Sequence, residues 1–403
     1  MTDVIIVVNS GSSSLKFAAY PMAPEAKMPL IKGKVAGIGR EPKLTARDSD
    51  GTIEATKALR EIPPDANHEW IISELLERLQ SRFSRLVPVA AGHRVVHGGL
   101  EFAEPAFIDA TVREALQRLV PMAPLHQPHN LAAIDAIAKI APDLPQVACF
   151  DTSFHRSQPR LAQLFGLPRE LAEAGIIRYG FHGLSYAYIA SMLPKHLGKL
   201  GEGRVIVAHL GNGASMCAMS RRKSVATSMG FTALDGLVMG RRCGALDPGV
   251  VLHLIKNHGM STDDVERLLY RQSGLLGVSG ISNSMQDLEA SAEPQAREAI
   301  DLYCYRAARE IGALAATLGG LDALVFTAGI GENSALVRSL VCQRSAWLGI
   351  ELDDTANAAG AVHIGSKGSK VATCIIPTDE ESVIAASTRR LIGRTGDRAG
   401  CLD

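Results

Sequence analysis

Apolar positions along the chain fall into two alternating kinds of run. Short continuous stretches rich in β-branched residues predict buried strands at 4–8, 87–91, 146–150, from Val205, at 323–327 and at 371–376. Between them lie longer segments with apolar residues three and four apart. Trp70, Ile71, Leu75, Leu76 and Leu79 predict a helix. Leu131, Ile134, Ile137 and Ile140 predict a second over 130–141, ended by Pro142. Ile300, Tyr303, Ala307, Ile311, Leu314 and Leu318 predict a third over 296–318, stopped by Gly319-Gly320. Ser14-Leu15-Lys16-Phe17 alternates polar and apolar, so the chain opens strand, turn, strand. The strand at 87–91 is expected to end at Gly92, and 329–334 to be a glycine turn before an amphipathic helix. Strands alternating with helices indicate α/β layers, and the same order recurs in the second half, as a duplicated fold would require.

Composition narrows the function classes. A chain of 403 residues fits two or three domains. The formal net charge is zero and no Lys/Arg block is interleaved with aromatics, which argues against nucleic acid as a partner. The first apolar run is too short for a signal h-region or a membrane span. Seven cysteines are scattered without a C-x-x-C pair, which fits a reducing cytoplasm, and Cys149, Cys217 and Cys374 sit in strand-like runs as small core residues.

Three small-residue turns follow predicted strands. They are Asn9-Ser10-Gly11-Ser12-Ser13-Ser14-Leu15-Lys16, His209-Leu210-Gly211-Asn212-Gly213 and Gly329-Ile330-Gly331-Glu332-Asn333. Small residues let backbone N–H groups approach an anion. The first lacks the Walker pattern, because it leads into a strand, and taken singly it is also compatible with an ordinary hairpin. The third could hold an anion at a helix N-terminus. All three together point to a nucleotide. Asp151, at the end of the 146–150 strand, and Asp379-Glu380-Glu381, after the 371–376 strand, stand where open α/β sheets bind ligands.

The first turn, with Tyr179-Gly180-Phe181-His182-Gly183, resembles the two signature motifs of acetate kinases. So do His93-Arg94-Val95-Val96-His97-Gly98-Gly99, Phe150-Asp151-Thr152-Ser153-Phe154-His155, the second and third turns, and Thr227-Ser228-Met229-Gly230-Phe231-Thr232. The resemblance runs in family order from residue 4 to about 390. It implies a duplicated actin-like, ribonuclease H-like ATPase fold with two domains around a central cleft. Residues 1–150 would form an acyl- and phosphate-binding domain, with a helix over about 385–403 packing back on it, and 151–384 a nucleotide-binding domain. It also implies a homodimer, ATP/ADP as co-substrate, Mg2+ or Mn2+, and reversible formation of acetyl phosphate from acetate. Propionate or another short-chain acid is an alternative acceptor, and a non-catalytic clamp of the actin or Hsp70 type an alternative class.

Residue by residue, the resemblance places Arg94, Asp151, His182 and Arg242 in catalysis. It places Arg94, Val96, Leu125, His126 and Phe181 around the acyl group. The nucleotide would meet Ser12, Ser14, Lys16, His209, Leu210, Gly211, Asn212, Gly213, Ser284, Met285, Gln286, Gly329, Ile330, Gly331, Glu332 and Asn333, and the metal Asn9 and Glu380. A carboxylic acid with a pKa near ~4–5 is ionised at neutral pH, so the reaction needs cations around the transferring group more than a base. Asp151 is therefore expected to orient Arg94 or the metal. The sequence departs from the family pattern at Leu184 and Tyr186 (Thr and His in the family), at Arg241 and Ala245 (Thr and Asp), and at Ser284 and Gln286 (Asp and Arg at the nucleoside). The last pair predicts weaker or broader nucleotide selection.

Overall fold

The structure, a computed structural model, describes residues 1–399 other than 12–13, 24, 27, 39–41, 49–52, 55–62, 64–65 and 83–84. It divides into two compact units, Met1–Ser153 with Asp379–Asp403, and Phe154–Thr378.

The first unit carries β1 (Thr2–Ser10), β2 (Ser14–Pro21), β3 (Ile31–Ala36), β4 (Lys43–Asp48), β5 (Ile53–Glu54), β6 (Leu86–Val95), β7 (Ala106–Phe107) and β8 (Gln146–Phe150), in the sheet order β5-β4-β3-β2-β1-β6-β8-β7. The second carries β9 (Arg204–Leu210), β10 (Ala214–Ser220), β11 (Lys223–Thr227), β12 (Ala323–Thr327) and β13 (Ala372–Ile375), in the order β11-β10-β9-β12-β13. The run β3-β2-β1-β6-β8 and the run β11-β10-β9-β12-β13 have the same plan. The first three strands form an antiparallel meander, and the fourth and fifth join it in parallel. The duplication expected from the sequence is thus present strand for strand.

The β-branched runs have a direct cause. Val4, Ile5, Ile6, Val7 and Val8 are all at most 4% exposed, because β1 is covered on both faces, and a strand so placed gains from apolar side chains at every position. Each such side chain contributes roughly 1.5–3 kcal/mol on burial. Ile71, Ile72 and Leu75 of the His68–Arg82 helix and Ala133, Ala136 and Ile137 of the Gln127–Ile140 helix pack with Val4, Ile6 and Val8. The Glu380–Ala399 helix packs on β1 and β6. In the second unit, Tyr186, Ile189, Ala190 and Leu193 of the Gly183–Leu197 helix pack on Val205, Val207, Cys217 and Val325. The Pro294–Leu318 helix lies against β9, β10 and β11.

Several boundaries differ from expectation. β6 does not end at Gly92 but continues to Val95. A Cβ at Gly92 would stand 2.3 Å from Thr388 Oγ1 and 2.7 Å from Ile384 Cγ2, so this glycine marks close approach of the final helix, not a strand end. The helix predicted from Asn130 starts at Gln127, with Pro128 in its first turn, where a missing N–H costs nothing. The final helix begins at Glu380. Residues 329–333 lie within a short helix, Ala328–Asn333, which is followed by Ala335–Arg344 with Ser334 as its N-cap. Cys149, Cys217 and Cys374 are fully buried core residues. Among the described residues, no helix is long and apolar enough to cross a membrane.

Candidate active site

In the first unit the parallel strands β1, β6 and β8 end side by side. Their carboxyl ends deliver Asn9, Arg94 and Asp151. Arg94 Nη2 donates to Asp151 Oδ2 at 2.6 Å, and Nε donates to Oδ1 and Oδ2 at 3.2 and 3.1 Å. Arg94 Nη1 donates to Asn9 Oδ1 at 3.3 Å, and Asn9 Nδ2 donates to Glu380 Oε2 at 3.0 Å. Asp151 is fully buried, while the Arg94 side chain keeps 17% exposure. Burial opposes the Arg94 charge, but Asp151, Glu380 and Glu381 outweigh it and hold its pKa above the ordinary arginine value. Asp151 is thus a fixed counter-charge whose two oxygens both face one guanidinium.

Beside this cluster, Glu381 is 3% exposed and meets Lys16 at 3.8 Å and Lys32 at 3.2 Å. Burial pushes its carboxyl up, but Lys16 and Lys32 more than compensate and hold it below the ordinary value. Lys32 also meets Asp379 at 3.3 Å. Lys16 is about half exposed. The β1–β2 turn is closed by Gly11 N donating to Ser14 O at 2.8 Å, and His68 Nε2 donates to Gly11 O at 2.8 Å. Ser12 lies outside the described residues.

Among the described residues, no group of three or more His, Cys, Asp or Glu is arranged to hold a metal. Magnesium keeps several waters and needs only one or two carboxylates besides phosphate oxygens, so the Glu380 carboxylate fits it. The Asn9 amide turns its nitrogen to Glu380 and its oxygen to Arg94, which suits it to hold Glu380 in place.

Val96 is 2% exposed, and Leu125 and His126 are half-buried just ahead of the Gln127–Ile140 helix. Two buried amides of that helix escaped the sequence reading. Asn130 accepts from Val96 N at 3.0 Å and donates to Ser10 O at 2.7 Å, tying the β1 turn to the Val96 segment. Gln127 accepts from His97 N at 3.2 Å and donates to His97 O at 3.2 Å. Their only sequence signal is spacing: Gln127 and Asn130 share a helix face with Leu131 and Ile134, where polar groups are out of place unless bonded.

In the second unit, His182 precedes the Gly183–Leu197 helix with a φ of 59°, a left-handed conformation uncommon outside glycine and one that costs of order 1 kcal/mol or more. Its ring stacks on His209, with centroids 4.1 Å apart, and its Nδ1 lies 2.8 Å from Ser215 Oγ. His209 Nδ1 lies 2.9 Å from Ser185 Oγ. Arg242 donates from Nη1 to Ala233 O at 2.5 Å. A Cβ at Gly213 would fall 2.7 Å from Arg242 Nη2 and 3.5 Å from His182 Nε2. The β9–β10 turn, Arg242 and His182 therefore converge on one point, and only a glycine leaves room there.

Gly211, Asn212, Ser284, Met285, Gln286, Gly329, Ile330 and Asn333 line one cavity of about 670 Å³ with Asn283, Glu289 and Ser334. Leu210 and Gly331 are buried and do not line it. Glu332 turns away: its Oε1 accepts from Ala328 N at 2.8 Å and Thr378 N at 3.2 Å, filling part of the helix N-terminus expected to take an anion. Arg338, 1% exposed, holds the other end of that helix, donating to Gly331 O and Glu332 O, both at 3.0 Å. Ser284 caps the Met285–Ala290 helix through Asp287 N, and Gln286 is exposed. Arg241 reaches Asn283 Oδ1 at 3.2 Å, and Asn283 Nδ2 reaches Asn212 Oδ1 at 3.1 Å. Phe181 is buried, and its carbonyl accepts from His155 Nε2 at 2.9 Å.

Residues 4–386 match the model of the acetokinase family. The chain is 52% identical over 396 residues to an acetate kinase of Rhodopseudomonas palustris, covering 97% of this chain and 99% of that one. It is 47% identical to an acetate kinase of Nitrobacter hamburgensis, covering 97% and 96%. Among solved structures, a propionate kinase of Francisella tularensis superposes with a TM-score of 0.88 at 35% identity, covering 96% and 99%. An acetate kinase of Porphyromonas gingivalis gives 0.84 at 33%, covering 97% and 100%. With its signature residues at the strand ends and the match spanning nearly its whole length, this chain belongs to the acetokinase family.

Proposed function

We propose that the protein catalyses reversible, direct in-line phosphoryl transfer from ATP to acetate, giving acetyl phosphate and ADP. The observation that carries the reading is a pair of arginines, Arg94 at the end of β6 and Arg242 in the segment after β11, with the nearby Asp151 carboxylate engaged by Arg94. Arg94 is backed by Asp151 in one unit, and Arg242 stands beside His182 and the 209–213 turn in the other. An ionised acid attacking an anionic phosphoryl group needs that arrangement. Arg94 binds the acetate carboxylate, Val96, Leu125, His126 and Phe181 are assigned to the acyl group, and Arg242 and His182 to the equatorial oxygens. Asp151 fixes the Arg94 fork. Ser14, Lys16 and the 209–213 turn hold phosphates, and the cavity lined by Ser284, Met285 and Gln286 takes the nucleoside. Glu380, oriented by Asn9, would hold Mg2+, which when bound neutralises phosphate charge.

Acetate is preferred to propionate on the strength of Val96, although one methylene is worth only ~1–3 kcal/mol and some propionate is turned over. Ser284 and Gln286 leave the base without the paired charges of the family, so GTP competes with ATP. The protein works in the cytoplasm as a homodimer. The Pro248–His258 helix supports the second copy: it has no buried residue, and Val250 and Leu252 are 39% and 54% exposed. Incubation with Mg-ATP, hydroxylamine and acetate, propionate or butyrate tests the reading by hydroxamate formation. Acetate is expected to give the most product, and no hydroxamate from any acid sinks the kinase reading.

A further inference from the structure

The family histidine at position 186 is tyrosine here, and it sits in a buried chain of hydroxyls. Tyr186 and Ser215 are both fully buried. Tyr186 Oη lies 2.5 Å from Ser215 Oγ, and Ser215 Oγ lies 2.8 Å from His182 Nδ1. We infer that Tyr186 and Ser215 are positioning residues that fix the His182 tautomer, with the proton on Nε2.

The direction of donation follows from hydrogen-bond counting. A phenol has one hydrogen, and Ser215 Oγ is the partner the described residues give it. If Nδ1–H donated to Ser215, three hydrogens would share two hydrogen bonds, and the serine or the phenol hydrogen would be left over between two buried side chains, at a cost of roughly 1–3 kcal/mol. If Tyr186 donates to Ser215 and Ser215 donates to Nδ1, every hydrogen is used. Burial above all, with Cys217 and Glu310 adding, holds the phenol well above the ordinary tyrosine range, so the proton that starts the chain is retained. The result is an Nε2–H donor on the side of the ring next to Gly213 and Arg242 Nη2, where the transferring phosphoryl group belongs if the proposed function holds. Stacking on His209 fixes the ring plane, and the hydroxyl chain fixes which nitrogen donates.

Long-range 15N–1H NMR of imidazole-labelled protein reads the tautomer directly and independently of activity. Wild type is expected to show His182 as Nε2–H. Tyr186→Phe and Ser215→Ala each free Nδ1 from an imposed donor and are expected to populate Nδ1–H. Both should lower kcat about tenfold, well short of the ~10⁴-fold loss of a wholly wrong tautomer, with KM for acetate within about twofold of wild type. A wild-type His182 protonated at Nδ1 overturns the inference, as do variants with wild-type spectra and kcat. Should one variant fail to fold, the wild-type spectrum and the other variant decide it. A protein that makes no acyl phosphate yet carries Nε2–H defeats the functional reading and leaves the tautomer assignment standing.

Discussion

The Asp151 carboxylate lies along the Nε–Nη2 edge of Arg94, with three donor–acceptor contacts between 2.6 and 3.2 Å. That edge of the guanidinium is occupied, so the acidic group at the end of β8 serves the arginine. Arg94→Lys keeps the charge and loses the fork. Its expected effect is a loss of kcat of about a hundredfold or more with the fold intact, measured by hydroxamate formation and circular dichroism. Asp151→Asn strips the fully buried counter-charge from a cation that is itself only partly exposed. It should lower stability by roughly 3–5 kcal/mol in urea titration, and activity with it.

Gly213 has no positive φ, so alanine is conformationally acceptable there, but the added methyl would press on Arg242 Nη2 at 2.7 Å. Gly213→Ala should reduce kcat/KM by roughly tenfold to a hundredfold through misplacement of Arg242, with little change in Tm. Full activity in this variant would mean that Arg242 does not act where it stands.

Gly92→Ala probes the fold instead of the site. The methyl meets Thr388 and Ile384 across the β6–final helix contact. A loss of about 1–3 kcal/mol in unfolding free energy is expected, read from the shift of the denaturant midpoint, and an unshifted midpoint would contradict it.

His93, His97 and His155 are each pushed down from 6.5 to about 4 by burial. As pH falls below about 6.5 the unfolded chain takes up these protons, while the folded chain does not until about 4. Stability should therefore be full above about 6.5 and fall between 6.5 and 4, by about 1.4 kcal/mol per pH unit for each imidazole. Glu381, held below its ordinary value, adds a further loss at the acid end of that window. Urea midpoints at pH 7.5, 6, 5 and 4 check this, and a flat profile from 7.5 to 5 would contradict it.

The cavity proposed for the nucleoside has Ser284 and Gln286 where the family resemblance gives an Asp and an Arg that contact the nucleoside, and Ser284 is engaged as a helix cap. A ratio of kcat/KM for ATP over GTP below about a hundred is expected, since each contact to a charged group is worth only about 1.5–3 kcal/mol. Gln286→Arg should raise that ratio. A ratio already above a hundred in wild type would show that selection comes from another part of the cavity.

Local chemistry determined much of this protein. The β-branched run of β1, the small-residue turns, the helical spacing at 296–318 and the repeated order of elements were all legible, because each is a short-range preference written in neighbouring residues. The candidate residues Arg94, Asp151, His182 and Arg242 were legible through ordered motifs. Tertiary structure decided what those residues do to one another. Gly92 looked like a strand end because sequence cannot say which helix lies over it. Asn130, Gln127 and His68 gave almost no signal because their value lies in carbonyls and amides supplied from elsewhere in the chain. Glu332 also accepts from the backbone N–H groups of Ala328 and Thr378, a role that no motif shows. Tyr186 looked like a lost histidine, and its partner Ser215 stands 29 residues away, on β10. Short-range preference is encoded residue by residue, whereas the pairing of buried polar groups exists only once the chain has packed.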